Sequence, residues 1–333
     1  MKAWVVAEPK AIDDGPLVCV ERPTPEPGPH EIRVRVSACG VCRTDLHLAV
    51  GELAPRHPAI VPGHEVVGRV DAVGEACERF RVGDRAGIAW LRHTCGQCRW
   101  CRSGRENLCP FSQYTGWDAD GGYAEWAVVD ERYAYALPDA FDDVHAAPLL
   151  CAGIVGYRAL VRAALPPGGR LGIWGFGASA HLVAQVALAQ GATVHVLTRA
   201  AAAREHARDL GVASVGPGDG EPPEPLDSAI LFAPAGELVP RALRALDRGG
   251  TLALAGIYLS DIPSLGYERD LFQERQLRSV TSNTRGDGDE FLRLAANVGV
   301  EVRATTYPLD RADDALCDLA HDRLTGAAVL VPR

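Results

Sequence analysis

The segment RLGIWGFGASAHLVAQVALAQGATVHVLTR, residues 170–199, constrains the fold more than any other part of this chain. Its pattern is that of a strand, a glycine turn, a helix and a second strand. The turn carries Gly175, Gly177 and Ala180. The first glycine permits a tight turn, the second lets backbone approach a pyrophosphate, and the small third residue lets the helix pack on the strand. The segment therefore predicts a dinucleotide site, and the alternative is a tight turn without a ligand.

The rest of the chain has two kinds of predicted secondary-structure pattern. Strands and helices keep alternating in LDSAILFA, GELVPRALRALDRGG and TLALAGI, which predicts a parallel, doubly wound sheet from residue 151 to about 285. Residues 1 to about 135 differ, because HEIRVRVSACGVC and EVVGRVDAVG have strand patterns and prolines are dense between them. The pattern is mixed after residue 285 and ends in a predicted strand, GAAVLVP. The chain is predicted to be an α/β protein with two domains.

The end of the second predicted strand bears on which nicotinamide cofactor would bind. An NAD site usually has Asp or Glu about twenty residues after the glycines, where it bonds the ribose 2′-hydroxyl. Thr198 and Arg199 occupy that point here. No acid is present to repel a 2′-phosphate, and Arg199 can pair with one. The sequence favours NADP, and the alternative is that Arg199 faces solvent and NAD binds without the acid.

A second constraint is a cysteine cluster of the form C-x2-C-x2-C-x7-C, which consists of Cys95, Cys98, Cys101 and Cys109. Four thiolates this close can converge on one tetrahedral zinc, and a site with four protein ligands is structural because no position is open to substrate. An iron–sulfur site is one alternative, although its last spacer would be three residues instead of seven. Inert thiols and disulfides are the others. The lack of an export signal and the size of the chain argue against disulfides.

A scattered set of residues suggests another metal site. Cys42, His64 and Cys151 can form the Cys2His arrangement of a catalytic zinc, with its fourth position open. The alternatives are small buried cysteines and a histidine with a structural role. The other cysteines are interpreted as such buried residues, namely Cys19, Cys39, Cys77 and Cys317.

With these segments the sequence resembles the zinc-dependent alcohol dehydrogenases of the medium-chain dehydrogenase/reductase family. The matching segments are CGVCRTDLH, GHE, the four-cysteine loop, DGGYAEW, LLCAGI and GFGASAHL, in order from residue 39 to about 182. The last third fits more loosely, through SNTR and the final strand. The resemblance implies a GroES-like catalytic domain at residues 1–150, completed by 286–333. It also implies a Rossmann cofactor domain at residues 151–285.

The resemblance implies the zinc ligands and their surroundings. Cys42, His64 and Cys151 would bind the catalytic zinc, and Glu65 would lie near the metal. Asp45 would accept a hydrogen bond from His64, which fixes the tautomer of a histidine ligand and raises its basicity. Asp45 as a simple turn former is the alternative.

The resemblance also implies a proton relay and phosphate contacts. Thr44 would touch the substrate oxygen, and His47 would pass the proton outward. Arg43 and Arg285 would contact the cofactor phosphates. Arg43 as an ordinary surface cation and His47 as a solvated side chain are the alternatives.

The activity implied is reversible hydride transfer between an alcohol and NAD(P), with two zinc ions in each chain. Leu53 and Trp90 are predicted to line a roomy pocket for a longer or aromatic alcohol or aldehyde, and both could equally be core residues. Val155 stands where many relatives have a threonine against the nicotinamide. Two other functions stay open, a zinc-independent enone or quinone reductase and a non-catalytic, nucleotide-binding redox sensor. The resemblance suggests a homodimer or homotetramer.

Charge and composition exclude other classes of function. The net charge of −9 and the lack of basic runs argue against nucleic acid as a partner. The longest apolar runs are shorter than the roughly 18 residues of a membrane span. The N-terminal segment lacks a signal-peptide pattern, so a cytoplasmic location is predicted.

Overall fold

A computed structural model describes residues 1–256, 258–324 and 326–332 of the chain. The chain forms two compact units. The first contains Met1–Ala152, Ser282–Ala296 and Val302–Arg333, and the second contains Gly153–Thr281 and Asn297–Glu301.

The strands and helices are numbered along the chain. The strands are β1 (Lys2–Val6), β2 (Leu17–Glu21), β3 (Glu31–Val41), β4 (Val66–Val73), β5 (Arg85–Ile88), β6 (Leu91–His93), β7 (Gln113–Tyr114), β8 (Trp126–Asp130), β9 (Ala134–Ala136), β10 (Arg170–Trp174), β11 (Thr193–Leu197), β12 (Ser214–Gly216), β13 (Leu226–Leu231), β14 (Leu246–Leu254), β15 (Gln276–Ser279), β16 (Ala304–Pro308) and β17 (Ala327–Val331). The α-helices are α1 (Arg43–Val50), α2 (Arg99–Arg102), α3 (Asp143–Ala146), α4 (Ala152–Ala163), α5 (Ala178–Ala189), α6 (Ala201–Asp209), α7 (Val239–Ala245), α8 (Arg285–Val298) and α9 (Ala312–Ala320). Short 3₁₀ helices lie at Ile12–Asp14, Glu106–Leu108, Glu131–Tyr133, Ala147–Leu150, Gly236–Leu238 and Leu309–Arg311, and a π turn lies at Tyr267–Leu271.

The first unit is built on a mostly antiparallel sheet. Its strands run in the order β16-β17-β3-β4-β5-β9, and β8 also pairs with β3. The alternating side chains Ile32, Val34 and Val36 of β3 are buried in the core of this unit. Burying one face of a strand in this way fixes its register. The predicted β-rich region and the predicted last strand, now β17, are both confirmed.

The second unit is a parallel sheet in the order β12-β11-β10-β13-β14-β15. Taken along the chain this is the order 3-2-1-4-5-6 of the Rossmann fold, so the predicted fold class is confirmed. The tight turn after β10 depends on Gly175, whose φ of 83° suits a residue without a side chain. A Cβ there would come within 2.9 Å of the Ala233 backbone nitrogen.

The observed units differ from the predicted domains near the end of the chain. Residues 282–285 belong to the first unit, because Asn283 approaches Tyr135 and Arg285 pairs with Glu106. Residues 297–301 belong to the second unit, because the backbone of Glu301 exchanges two hydrogen bonds with the amide of Gln185. The predicted boundaries at 150/151 and 285/286 missed these contacts, which join residues far apart in sequence.

Within the described ranges, no single helix has both the length and the apolar character needed to cross a membrane. One pair bent by 42°, Asp143–Leu150 with Ala152–Ala163, meets those two requirements by length and composition only.

Candidate active site

Three predicted ligands meet in the first unit. Cys42 directly precedes α1, His64 lies just before β4, and Cys151 lies directly before α4. The Sγ atoms of Cys42 and Cys151 are 3.8 Å apart, and Nε2 of His64 is 3.2 Å from Sγ of Cys151. One ligand atom from each of these residues and from Glu65 lies within 4.8 Å of all the others.

These separations fit a tetrahedral zinc. Two thiolates at about 2.3 Å from one zinc ion, with tetrahedral angles, are about 3.8 Å apart. That is the distance between Cys42 and Cys151. Two thiols and an imidazole nitrogen are also the donor set of catalytic zinc sites that keep one position open. The residues present therefore fit the metal.

The side chain of Asp45 contacts several residues of this cluster and its surroundings. Its buried carboxylate accepts hydrogen bonds from the backbone N–H groups of Cys42 and Gly63, at 2.9 and 3.0 Å, and from the hydroxyl of Tyr123 at 3.3 Å. Its Oδ1 lies 3.2 Å from Nδ1 of His64. Nε2 of His64 lies on the side of the thiols, and the predicted hydrogen bond from His64 to Asp45 stays a prediction. The sequence reasoning missed Tyr123, although the matched segment DGGYAEW contains it.

The site favours the thiolate form of Cys42, the form that binds metal. A hydrogen bond from Cys151 and the charge of His64 outweigh burial and hold the pKa of Cys42 well below its usual range. The same hydrogen bond and burial raise the pKa of Cys151. Burial lowers the pKa of His64, but Asp45 and Cys42 outweigh it, so that this pKa is well above its usual value. A metal ion bound here would therefore have to displace the protons that His64 and Cys151 hold.

Glu65 is buried close to the ligands. Burial and the neighbouring charge of Cys42 raise the pKa of its carboxyl well above the usual range. Gly40 makes room for it, since a Cβ at that position would lie 1.7 Å from Oε2 of Glu65. Sequence reasoning predicted Glu65 but not the glycine that it requires.

The two predicted relay residues lie on α1. Thr44 is buried, and its Oγ1 is 3.7 Å from Sγ of Cys42. His47 lies one turn further on, and its Nδ1 contacts the carboxylate of Glu52. Thr44 is thus beside the candidate metal position, and His47 is in contact with an exposed carboxylate.

Two arginines predicted to contact cofactor phosphates have partners within the first unit. Arg43 pairs with Asp322, which lies just after α9. Arg285 forms a fork of hydrogen bonds with both carboxylate oxygens of Glu106, at 2.6 to 3.2 Å, and its guanidinium stacks over Tyr133. The structure therefore gives Arg285 a role in holding the four-cysteine loop, and its predicted contact with phosphate stays a prediction.

An aromatic stack adjoins the ligands. Trp90 meets the ring of His64 edge-on, with centroids 4.9 Å apart, and stacks on Tyr114 and Trp117. Leu53 is half-buried after α1, where its N–H donates to the carbonyl of His47. Of the two predicted pocket residues, Trp90 is in direct contact with a ligand side chain.

The four-cysteine loop also converges. Sγ of Cys95 is 3.6 Å from that of Cys109, and Sγ of Cys98 is 3.5 Å from that of Cys101, close to the separation of two zinc thiolates. Backbone N–H groups of Gln97 and Cys98 lower the pKa of Cys95 to about 6. All ten cysteines of the chain are free thiols. The loop therefore fits a structural zinc, and no disulfide holds it.

The predicted dinucleotide residues lie together in the second unit. Gly177 directly precedes α5, a Cβ there would meet nothing within 4 Å, and Ala180 is fully buried. Thr198 is buried after β11, and Arg199 is exposed. Arg204, which the sequence reasoning missed, donates to the carbonyls of both residues at 2.9 and 2.6 Å. The helix N-terminus and two arginines form a set of donors suited to phosphate.

Comparisons with known proteins agree on one family. Residues 28–139 match the alcohol dehydrogenase GroES-like domain. The chain is 58% identical to the "probable alcohol dehydrogenase AdhA" of Mycobacterium tuberculosis, over 99% of this chain and 97% of that protein. Two solved structures are each 26% identical to it. They are a cinnamyl alcohol dehydrogenase of Sorghum bicolor (TM-score 0.89, 99% and 97% of the two chains) and a cobalt- and zinc-bound thermostable alcohol dehydrogenase of Pyrobaculum aerophilum (TM-score 0.90, 100% and 99%).

Proposed function

Since the chain belongs to the alcohol dehydrogenases of the medium-chain dehydrogenase/reductase family, we propose that its alcohol oxidoreduction depends on zinc held by Cys42, His64 and Cys151. The observation that carries this proposal is the 3.8 Å separation of the two thiols, with Nε2 of His64 3.2 Å from Sγ of Cys151. A second zinc belongs to the four-cysteine loop and is structural.

Bound at this site, zinc supplies Lewis acidity to the substrate oxygen. The chain's own residues bind the metal and move the proton. Asp45 holds His64 in the tautomer whose Nε2 is a ligand. Thr44 offers a hydroxyl next to Cys42 that can take the proton of the alcohol as it releases its own. His47, which contacts the carboxylate of Glu52, would pass the released proton outward. A bound nicotinamide would supply the hydride acceptor.

Asp45→Asn is expected to weaken zinc binding at this site by about 10-fold to 100-fold, because an amide cannot supply the negative charge that orients and polarises His64. The measurement is the chelator concentration that halves alcohol oxidation, followed by restoration with Zn²⁺. The variant should need about 10-fold to 100-fold less chelator than the wild type.

Asp71→Asn is the matched control, since Asp71 pairs with Arg33 in the same unit away from the ligands. Wild-type activity that no chelator inhibits would instead favour the zinc-independent enone or quinone reductase.

For the cofactor we propose NADP, with NAD as the alternative. The chain has no acid at the end of β11, and Arg199 is exposed there. Arg204 fixes the loop by bonding its carbonyls. Arg43 pairs with Asp322, and its contact with a cofactor phosphate stays a prediction. Gly175, Gly177 and Ala180 would shape the turn beneath the pyrophosphate.

Arg199→Ala is expected to lower kcat/KM for NADP by about 10-fold to 100-fold and to leave that for NAD almost unchanged, because a charge-assisted pair with the 2′-phosphate is lost. Steady-state assays with both cofactors measure this. Arg208→Ala is the control, because Arg208 is an exposed arginine on the last turn of α6, the helix that follows Arg199. An equal loss with both cofactors would contradict the assignment.

The substrate class that we propose is a longer or aromatic alcohol, or the matching aldehyde. Trp90, Tyr114 and Trp117 form a stack of aromatic rings, and the ring of Trp90 contacts His64 edge-on. Aromatic side chains of this kind can pack against an aromatic substrate. Similarity to a cinnamyl alcohol dehydrogenase points the same way. Leu53 is included as a second pocket residue.

The assembly and location complete the proposal. A homodimer or homotetramer is inferred from the family. None of the ten cysteines, all of which the structure describes, forms a disulfide, which is typical of a reducing compartment and supports the cytoplasm.

A further inference from the structure

A third group of metal-binding side chains lies apart from the two cysteine clusters. It consists of Asp13, on the short helix Ile12–Asp14, and of Cys317 and His321 at the end of α9. Nε2 of His321 is 2.8 Å from Oδ1 of Asp13, and Sγ of Cys317 is 3.8 Å from the same oxygen. One ligand atom from each lies within 4.8 Å of the others.

The backbone holds these side chains together. Cys317 lies on the last turn of α9 and His321 directly follows the helix, where its backbone N–H donates to the carbonyl of Cys317 at 3.0 Å. A spacing of four residues places both side chains on one face. The segment that carries Asp13 is fixed to the same helix, because the N–H of Leu17 donates to the carboxylate of Asp313 at 3.1 Å. Gly15, with φ of 61°, makes the turn between them, and a Cβ there would lie 3.3 Å from that carboxylate. The three donors are thus preorganised by two elements.

The local charges suit a cation. The hydrogen bond from His321 outweighs burial and lowers the pKa of Asp13, so that its carboxylate is ionised at neutral pH. Arg323 is the nearby positive charge, and it is paired with Asp318 at 3.1 Å. Burial raises the pKa of Cys317, so a metal ion would have to displace its proton.

We propose that Asp13, Cys317 and His321 form a third metal site, which takes a divalent cation of the zinc class with water in the fourth position. Thiolate, imidazole and carboxylate are the ligand types that zinc accepts together. The site is partly exposed and has only three protein ligands, so it should exchange its metal more readily than the four-cysteine loop does. The sequence interpretation of Cys317 as a small buried hydrophobe is therefore incomplete, since its sulfur faces two other metal-binding groups.

The simpler alternative is a His–Asp ion pair beside an unrelated thiol. The chain contains a matched example in Asp142 and His145, whose Oδ1 and Nδ1 atoms are 2.7 Å apart. No cysteine is grouped with that pair among the described residues. The Asp142–His145 pair therefore serves as a control for zinc binding by a surface His–Asp pair that has no cysteine beside it.

The experiment is a calorimetric titration of the purified holoenzyme with Zn²⁺, after exchange into metal-free buffer and a count of the zinc that stays bound. The wild type should take up one further zinc per chain. Cys317→Ser and His321→Ala should each weaken that uptake by more than about tenfold, because each removes a direct ligand. His145→Ala should leave it unchanged, and every variant should keep the wild-type rate of alcohol oxidation.

A parallel titration with Co²⁺ identifies the sulfur ligand. Thiolate-to-cobalt absorption should appear as the exchangeable site fills in the wild type, and Cys317→Ser should lack it. Uptake of no further zinc, or uptake that both Cys317→Ser and His321→Ala leave intact, would overturn the proposal.

Discussion

Replacing Cys42 with alanine should abolish alcohol oxidation while the chain stays folded. The substitution removes one of three protein ligands, and with it the metal that polarises the substrate oxygen. Lewis-acid stabilisation of this kind is worth several kcal/mol, so kcat/KM should fall by at least about a thousandfold. The measurement is steady-state oxidation of an aromatic alcohol, together with zinc per chain and cofactor binding by fluorescence. The variant should lose one zinc and still bind cofactor.

Cys39→Ala is the control for this experiment. Cys39 is a buried thiol on β3, three residues before Cys42, and it belongs to none of the three metal-binding groups. Its removal should leave zinc content and activity intact at a small cost in stability. Activity that survives Cys42→Ala would contradict the zinc mechanism and favour the zinc-independent reductase. A wild type that binds cofactor but oxidises no alcohol would favour the redox sensor.

The second large effect is expected from Cys109→Ala. Zinc in structural sites contributes to folding free energy directly, and the loop between Cys95 and Cys109 contains only two short helical segments, Arg99–Arg102 and Glu106–Leu108. We expect loss of the structural zinc and a fall in the free energy of unfolding of at least about 3 kcal/mol. Denaturant unfolding and zinc content measure both. Activity below the unfolding transition should persist, because this cluster has no open position.

Loss of the structural zinc in Cys109→Ala should also weaken a contact between the four-cysteine loop and α8. Glu106 lies between Cys101 and Cys109 and holds Arg285 at the start of α8. Cleavage by a protease within residues 95–113 should therefore become faster in Cys109→Ala. Cys19→Ala, at an exposed thiol outside the metal-binding groups, should change neither zinc content nor stability. A Cys109→Ala variant as stable as the wild type would show that the loop needs no metal.

The sequence predicts well those features that spacing determines. The alternation around Gly175 gives the parallel sheet, because the period of strand and helix follows from local burial. The four-cysteine loop is local too, since its ligands lie within fifteen residues. The predicted set Cys42, His64 and Cys151 spans more than a hundred residues, so the residue types only suggested a site, and the resemblance to a family was needed to connect them.

Contacts that tertiary structure creates were not predictable in the same way. Arg43 pairs with Asp322, at the other end of the chain, and Arg285 pairs with Glu106. Neither partner has a sequence signal that marks it. The need for glycine at position 40 is likewise evident only from the structure, because the side chain of Glu65 fills the space that a Cβ at this position would take. Side chains with several donors, such as arginine, are the least predictable, because each can serve a ligand or the protein itself.

The most direct test of the central claim is the number of zinc atoms that stay bound to each purified wild-type chain after exchange into metal-free buffer. Two zincs are predicted, one in the four-cysteine loop and one held by Cys42, His64 and Cys151. The Cys42→Ala variant should then retain one. A single zinc in the fully active wild type, unchanged in Cys42→Ala, would contradict the account, as would iron with labile sulfide in place of the structural zinc.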